Sequence, residues 1–198
     1  MNLVDKMRRM RLLSLESRTL AYLLPMLLRL LSCEHQGPFG LVLLPTRELA
    51  LQVANCCGAL LEGSEISVAA LWGGGPWLEQ QRQLRGGEGS CIVAATPGRL
   101  LDLICSLEEE GIEPLVKVRV LVLDEGDRML EKGLGDALDA IARRTAHLRQ
   151  TLFFSATWRE DKVGEDARRF CRHAPVVLQI GGDGAVRAGA QPLKTIWR

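Results

Sequence analysis

The sequence predicts an α/β protein, a parallel sheet covered by helices on both faces. Three observations predict it. Short apolar runs alternate along the chain with longer stretches whose apolar residues recur at helical spacing, the order expected of β-α-β units. The run Val118–Leu123 (VRVLVL) is apolar apart from Arg119, which suits a strand buried on both faces. That run stops at Asp124, Glu125 and Asp127, and the other runs also give way to small, hydroxyl-bearing or charged residues. Such residues belong at the carboxyl edge, where open α/β sheets bind ligands.

The elements follow in order. Met1–Arg18 is an interrupted, basic opening. Thr19–Leu31 (TLAYLLPMLLRLL) is rich in helix formers, with Pro25 placed to kink it, and Gly37, Pro38 and Gly40 mark a loop. Leu41–Leu44 reads as a buried strand, and Pro45-Thr46 opens a helix with Leu49, Val53, Cys57 and Leu60 on one face. Ile66–Leu71 is the next strand, closed by Gly73-Gly74-Gly75, and Glu79–Arg85 reads as a polar surface helix. Cys91–Ala95 is a strand, after which Pro97 sits at a first helical position, where its missing N–H is harmless. The helix behind it runs to about Leu107 and ends in the acidic Glu108–Glu110. Beyond the Val118–Leu123 strand, Leu134, Leu138, Ile141 and Leu148 form a helical stripe, and Thr151–Phe154 is a further strand. A charged helix at about Arg159–Arg172 and a last strand, Pro175–Ile180, close the domain. Gly181–Gln191 reads as a linker and Pro192–Arg198 as a tail.

At 198 residues the chain fits one domain with a proper core. Its net charge of +1 supplies no global attraction for nucleic acid, so any such partner must be held by a local patch. The six cysteines include no CxxC pair and no zinc-like spacing with the three histidines. They read as reduced, mostly buried thiols of an intracellular protein. No stretch approaches the roughly 20 apolar residues of a membrane span. Asp5, Glu16 and sparse serine argue against reading the basic opening as a mitochondrial leader.

The chemistry lies in the loops after the strands. Asp124 and Glu125 suit a magnesium–phosphate site, because Mg²⁺ takes hard oxygen ligands and a neighbouring carboxylate can orient water. The loops at Thr46 and Thr96 each stand at a helix start, where backbone N–H groups face anions, and Ser155 opens a similar loop. Arg47 and Arg99 add forked donors suited to phosphate. One such loop alone reads as a cap or tight turn; five on one edge are harder to dismiss. Trp72, Trp77 and Trp158 offer stacking surfaces but read as partly buried packing residues.

In this order, PTRELA (Pro45–Ala50), Gly73-Gly74, TPGR (Thr96–Arg99), VLDEGD (Val122–Asp127) and SAT (Ser155–Thr157) resemble the DEAD-box ATP-dependent RNA helicases. The likeness runs from about Thr19 to Ile180 and implies the first RecA-like domain of that family, of P-loop NTPase type. It implies that Asp124 holds Mg²⁺ through water, with Thr19 on the magnesium side. It further implies that Glu125 positions the hydrolytic water and that Asp127 bonds Ser155 and Thr157. Arg18 and Thr19 would be what remains of the ATP phosphate loop. Thr46, Arg47, Gly74, Thr96, Gly98 and Arg99 would grip the RNA backbone, contacts that read no sequence. The three tryptophans fall outside these contacts. The family also implies an intracellular setting, in nucleus, nucleolus or cytoplasm.

The sequence departs from that family in several places. Gly126 stands where the motif has alanine. Leu13–Thr19 (LSLESRT) aligns with a phosphate loop of the AxTGxGKT type, but Leu15 and Ser17 replace two glycines and Arg18 replaces the lysine. Glu16 brings a like charge toward the triphosphate, worth about 4 kcal/mol of repulsion at about 4 Å and an effective dielectric near 20. The strand leading into that loop and the adenine-reading segment before it have no counterpart, and the chain stops where a second RecA-like domain would follow. The expectation is a truncated or alternatively spliced product, with a gap in the sheet beside Val120–Leu123. Its exposed strand edges would then favour self-association or a protein partner. Three readings stay open: a helicase fragment that keeps some ATP-dependent activity, a module that binds RNA or protein partners without turning over ATP, or a partly folded product with no activity.

Overall fold

The computed structural model describes residues 17–31, 38–85, 92–156, 163–171, 176, 178–180 and 186–188. The chain forms two compact units, Met1–Trp158 and Arg159–Arg198.

In the first unit, helix α1 (Ser17–Leu31) precedes strand β1 (Gly40–Leu43) and helix α2 (Arg47–Leu60). Strand β2 (Val68–Leu71), helix α3 (Trp77–Arg85), strand β3 (Ile92–Ala95) and helix α4 (Pro97–Glu109) follow. Strand β4 (Val120–Leu123), helices α5 (Gly126–Glu131) and α6 (Gly135–Arg143), and strand β5 (Gln150–Phe153) complete it. The five strands form one sheet in the order β2-β3-β1-β4-β5, and every pair is parallel. Parallel α/β architecture is thus as the sequence predicts.

The register decides where function can sit. Gly40 pairs with both Ile92 and Val120, while Val68 pairs with Ile92 and Val120 with Gln150. All five strands therefore start and stop on common lines, and Leu71, Ala95, Leu43, Leu123 and Phe153 end side by side. The loops that follow emerge along a single edge.

Alternate strand residues point to opposite faces. Val42, Ile92, Ala94, Val120 and Val122 pack in one cluster with Tyr22, Leu23, Met26, Leu27 and Leu30 of α1 and Val53, Cys57 and Leu60 of α2. The intervening Leu41, Leu43, Val93, Ala95, Leu121 and Leu123 are equally buried. On their side, α4 and α6 pack against each other and bury Leu100, Leu103, Ile104, Leu138 and Ile141. At about 25 cal/mol per Å² of apolar surface removed from water, this two-faced core is the main stabilising term.

Several expectations need correction. Helix α1 continues through Pro25 and already includes Ser17 and Arg18, two residues before its apolar run suggests. Strand Val120–Leu123 borders no gap, because it is hydrogen-bonded to β1 on one side and β5 on the other. The backbone N–H groups of Arg119 and Val120 both turn to the Phe39 carbonyl, which starts the strand later than its apolar run suggests. Short helix α5 lies where only a loop was expected, since six residues are too few to display a helical stripe. In the second unit, helix α7 (Val163–Phe170) precedes strands β6 (Leu178–Ile180) and β7 (Val186–Ala188). Rather than joining the parallel sheet, β6 pairs antiparallel with β7, Leu178 opposite Ala188. The expected linker thus contains a strand. Any strand within residues 1–16 lies outside the described residues.

Candidate functional site

Backbone hydrogen bonds carry the ladder one step past the strand ends and fix the loops. Leu44 donates to Ala95 O, Thr96 to Leu71 O, Asp124 to Leu43 O and Phe154 to Leu123 O, at 2.8–3.0 Å. The loops bearing Thr46, Gly74, Thr96, Asp124 and Ser155 therefore share one edge.

At its acidic end the site is tightly organised. Asp124 and Asp127 are each only 7% exposed. Asp124 Oδ2 accepts a 2.9 Å hydrogen bond from the Tyr22 hydroxyl, and Oδ1 accepts the Glu125 N–H at 3.0 Å. Burial, followed by the charge of Asp124, pushes the Tyr22 phenol far above its ordinary range, so it stays a proton donor. Thr19, one turn earlier on α1 and also buried, hydrogen-bonds the Tyr22 phenol. Thr19 and Asp124, expected to face a common Mg²⁺, are thus linked through Tyr22. Sequence reasoning missed this residue, although its signal was visible: the chain's single tyrosine stands in an otherwise aliphatic run.

Glu125 adopts a left-handed backbone, φ 51° and ψ 45°, the only non-glycine with positive φ among the described residues. Such a conformation costs about 1–2 kcal/mol for a residue with a Cβ. The Glu125 side chain stays mostly buried, its Oε2 meeting the exposed Arg128 Nη1 at 3.1 Å, and α5 starts at Gly126. Gly126 N donates to Phe154 O at 2.9 Å, which ties the carboxylate loop to the segment leading to half-buried Ser155. Thr157 lies outside the described residues, as does the side chain of Arg18.

At the basic end, two expected residues have structural duties. Thr46 caps α2, its hydroxyl oxygen accepting the Leu49 N–H at 3.3 Å, so the plain helix-cap reading holds for that oxygen. Gly74 has φ +80°, a conformation that side-chain-bearing residues rarely adopt. Thr96 begins α4 without spending its hydroxyl on a cap, and Gly98 is exposed. Lys132 Nζ donates to Pro45 O at 3.1 Å and braces the Thr46–Arg47 loop from α5. The Arg47 guanidinium lies 5.2 Å over the Trp72 ring, and that of Arg99 lies 5.1 Å over the Trp77 ring. Neither arginine is ion-paired among the described residues.

The tryptophans divide. Trp72 is half-buried and held by Gln80, whose side-chain amide accepts from Trp72 N at 3.1 Å and donates to Trp72 O at 3.3 Å. Trp77 is more open, 38% exposed, and so partly buried as expected. Among the cysteines, Cys56 and Cys57 are buried, whereas Cys105 is exposed and Cys171 half-buried.

These features define an α/β protein whose aligned strand ends carry paired carboxylates at one end and free guanidinium groups at the other. The profile of the DEAD/DEAH box helicases matches residues 18–165, and the chain belongs to that family, its parallel sheet being the family's RecA-like domain. The ATP-dependent RNA helicase DBP2 of Candida glabrata is 41% identical over 169 residues, 83% of this chain and 29% of that protein. A hypothetical ATP-dependent RNA helicase from Sulfolobus tokodaii superposes with a TM-score of 0.65 at 32% identity, covering 82% of this chain and 44% of that one. Mss116p, solved bound to ssRNA and AMP-PNP, gives 0.67 at 27% identity over 78% of this chain and 32% of its own. The chain thus spans less than a third of the DBP2 relative's length. No described helix is long and apolar enough to cross a membrane.

The family implies ATP and Mg²⁺. Buried Asp124, oriented by two protein donors beside Thr19, is suited to a hydrated Mg²⁺. Residues 13–16, which the resemblance sets against the phosphate loop, lie outside the described residues. The family match itself begins at Arg18.

Proposed function

We propose that this chain binds single-stranded RNA through its sugar–phosphate backbone, as a RecA-like unit of the RNA-helicase type, without turning over ATP. The observation that carries the reading is the pair Arg47 and Arg99. They follow neighbouring strand ends, without a carboxylate partner among the described residues and each steadied over a tryptophan ring. Arg47 is exposed and can offer a phosphate its forked donors, while half-buried Arg99, whose Nη1 is buried, can offer its remaining N–H groups, and exposed Gly74 and Gly98 leave room for a strand to pass. Mss116p, which shares the fold, is bound to ssRNA in its structure, and that supports RNA as the polyanion. Asp124, Glu125, Asp127, Ser155 and Thr157 keep the hydrolytic motif's residue types. Phosphate-loop chemistry at Leu15, Ser17 and Arg18 withholds the nucleotide from them.

Binding of a labelled single-stranded RNA across a salt series tests this. With about two phosphate contacts, log affinity should fall against log salt with a slope near −1.4. Arg47→Ala or Arg99→Ala should each lower affinity and flatten that slope by about 0.7. Unchanged affinity and slope in both variants would assign any binding to another surface.

A further inference from the structure

Trp77 is the first residue of α3, and its ring remains 38% exposed although the Arg99 guanidinium lies over it at 5.1 Å. Neighbouring Leu78 is 67% exposed, and Pro76 is exposed as well. Nothing described in the fold explains this apolar surface. Trp72 shows what a structural tryptophan looks like here: half-buried, with its backbone clasped on both sides by Gln80. No hydrogen bond of that kind holds Trp77 among the described residues; exposed Gly73 and Gly74 precede it by a few positions, and Arg99, which overlies its ring, follows exposed Gly98. One strand neighbour away stands Arg47.

We infer that Trp77 is a base-stacking site for single-stranded RNA, beside the loops that hold its backbone. The inference rests on the RNA-binding reading above and adds to it a contact with the nucleobase. A strand whose phosphate meets Arg99 places its base within reach of the ring that Arg99 overlies. Stacking of guanidinium, indole and base is favourable because the arginine polarises the ring face and the base shields it from water. Every base has a π-face, so the site is tolerant of sequence, with purines preferred for their larger area.

Two ligands of equal length and charge separate the contributions: a ten-nucleotide oligo(A) and the same oligomer with abasic sugars. Wild-type protein should bind oligo(A) more tightly. Trp77→Ala should weaken oligo(A) binding about tenfold, within the range for one base–aromatic stack, and should weaken abasic binding clearly less, the small shared loss being that of the ring under Arg99. Trp77→Phe should recover most of the loss while preserving the fold. Equal wild-type affinity for the two ligands, or an equal loss on both in Trp77→Ala, would overturn the stacking site. The latter result would make Trp77 a clamp for Arg99. Absence of wild-type binding to either ligand would overturn the RNA reading together with it.

Discussion

Gly126 replaces the alanine of the DEAD motif, and the structure supplies a steric partner for the change. A Cβ at this buried position would lie 2.3, 2.6 and 2.8 Å from Cζ, Cε2 and Cε1 of Phe153, against the 3.5–4.0 Å of a relaxed carbon contact. Gly126→Ala therefore forces the aromatic ring aside by about 1 Å. Overpacking of that kind costs about 1–3 kcal/mol. The lost backbone freedom of glycine in the unfolded chain returns about 0.4–1 kcal/mol. Because Phe153 is half-buried and can pivot outward, the net loss should fall near 1–2 kcal/mol. Phe153→Leu removes the clashing ring edge. In that background Gly126→Ala should be neutral or stabilising, with a coupling of about 1–2 kcal/mol between the two sites. Urea unfolding of the four proteins in the cycle measures this. Additive effects, or a stabilising Gly126→Ala on its own, would refute the steric pairing.

Two further perturbations address the site's buried groups. Tyr22→Phe leaves Asp124 buried with one donor fewer, and should cost about 1.5–3 kcal/mol in urea unfolding, the worth of a hydrogen bond to a charged group; a loss below about 0.5 kcal/mol would mean that water replaces the phenol. Alkaline pH should also destabilise the fold. Burial, with Cys56 alongside, pushes the Cys57 thiol up from its ordinary 9.0 to about 12. The unfolded chain releases that proton first, so stability is intact below about pH 9 and falls as pH rises from there toward 12, at about 1.4 kcal/mol per pH unit for each such group. Tyr22, also raised, adds to the fall above pH 10. Melting curves from pH 8 to 10.5 should show this, and Cys57→Ala should flatten the first part of the decline; a slope unaltered by that substitution would place the titration elsewhere.

Much of the fold was legible because a buried parallel strand leaves a strong trace. Leu41–Leu44 and Val118–Leu123 are apolar runs bounded by polar loops, and each proved to hold a central strand. Legibility failed where the cause was tertiary. Neighbour order is not written in any one strand, so the gap expected beside Val120–Leu123 was misplaced. Helix α5 is too short for periodicity, and β7 is three residues long and reads as part of a glycine-rich linker. At the site, the carboxylates and Arg47 and Arg99 were readable as residue types on loops. Their partners were not: Tyr22 reaches Asp124 across 102 residues, and Gln80 fixes Trp72 from the next helix. The exposure of Trp77 follows from where α3 begins, two residues before its polar stretch suggested.

Hydrolysis of ATP by the purified chain, with saturating single-stranded RNA and Mg²⁺, is the most direct test of an RNA-binding helicase-type domain without turnover. No RNA-stimulated release of phosphate above background is expected. A turnover of about 1 per second, within the ordinary enzyme range, that is abolished by Glu125→Gln would contradict it.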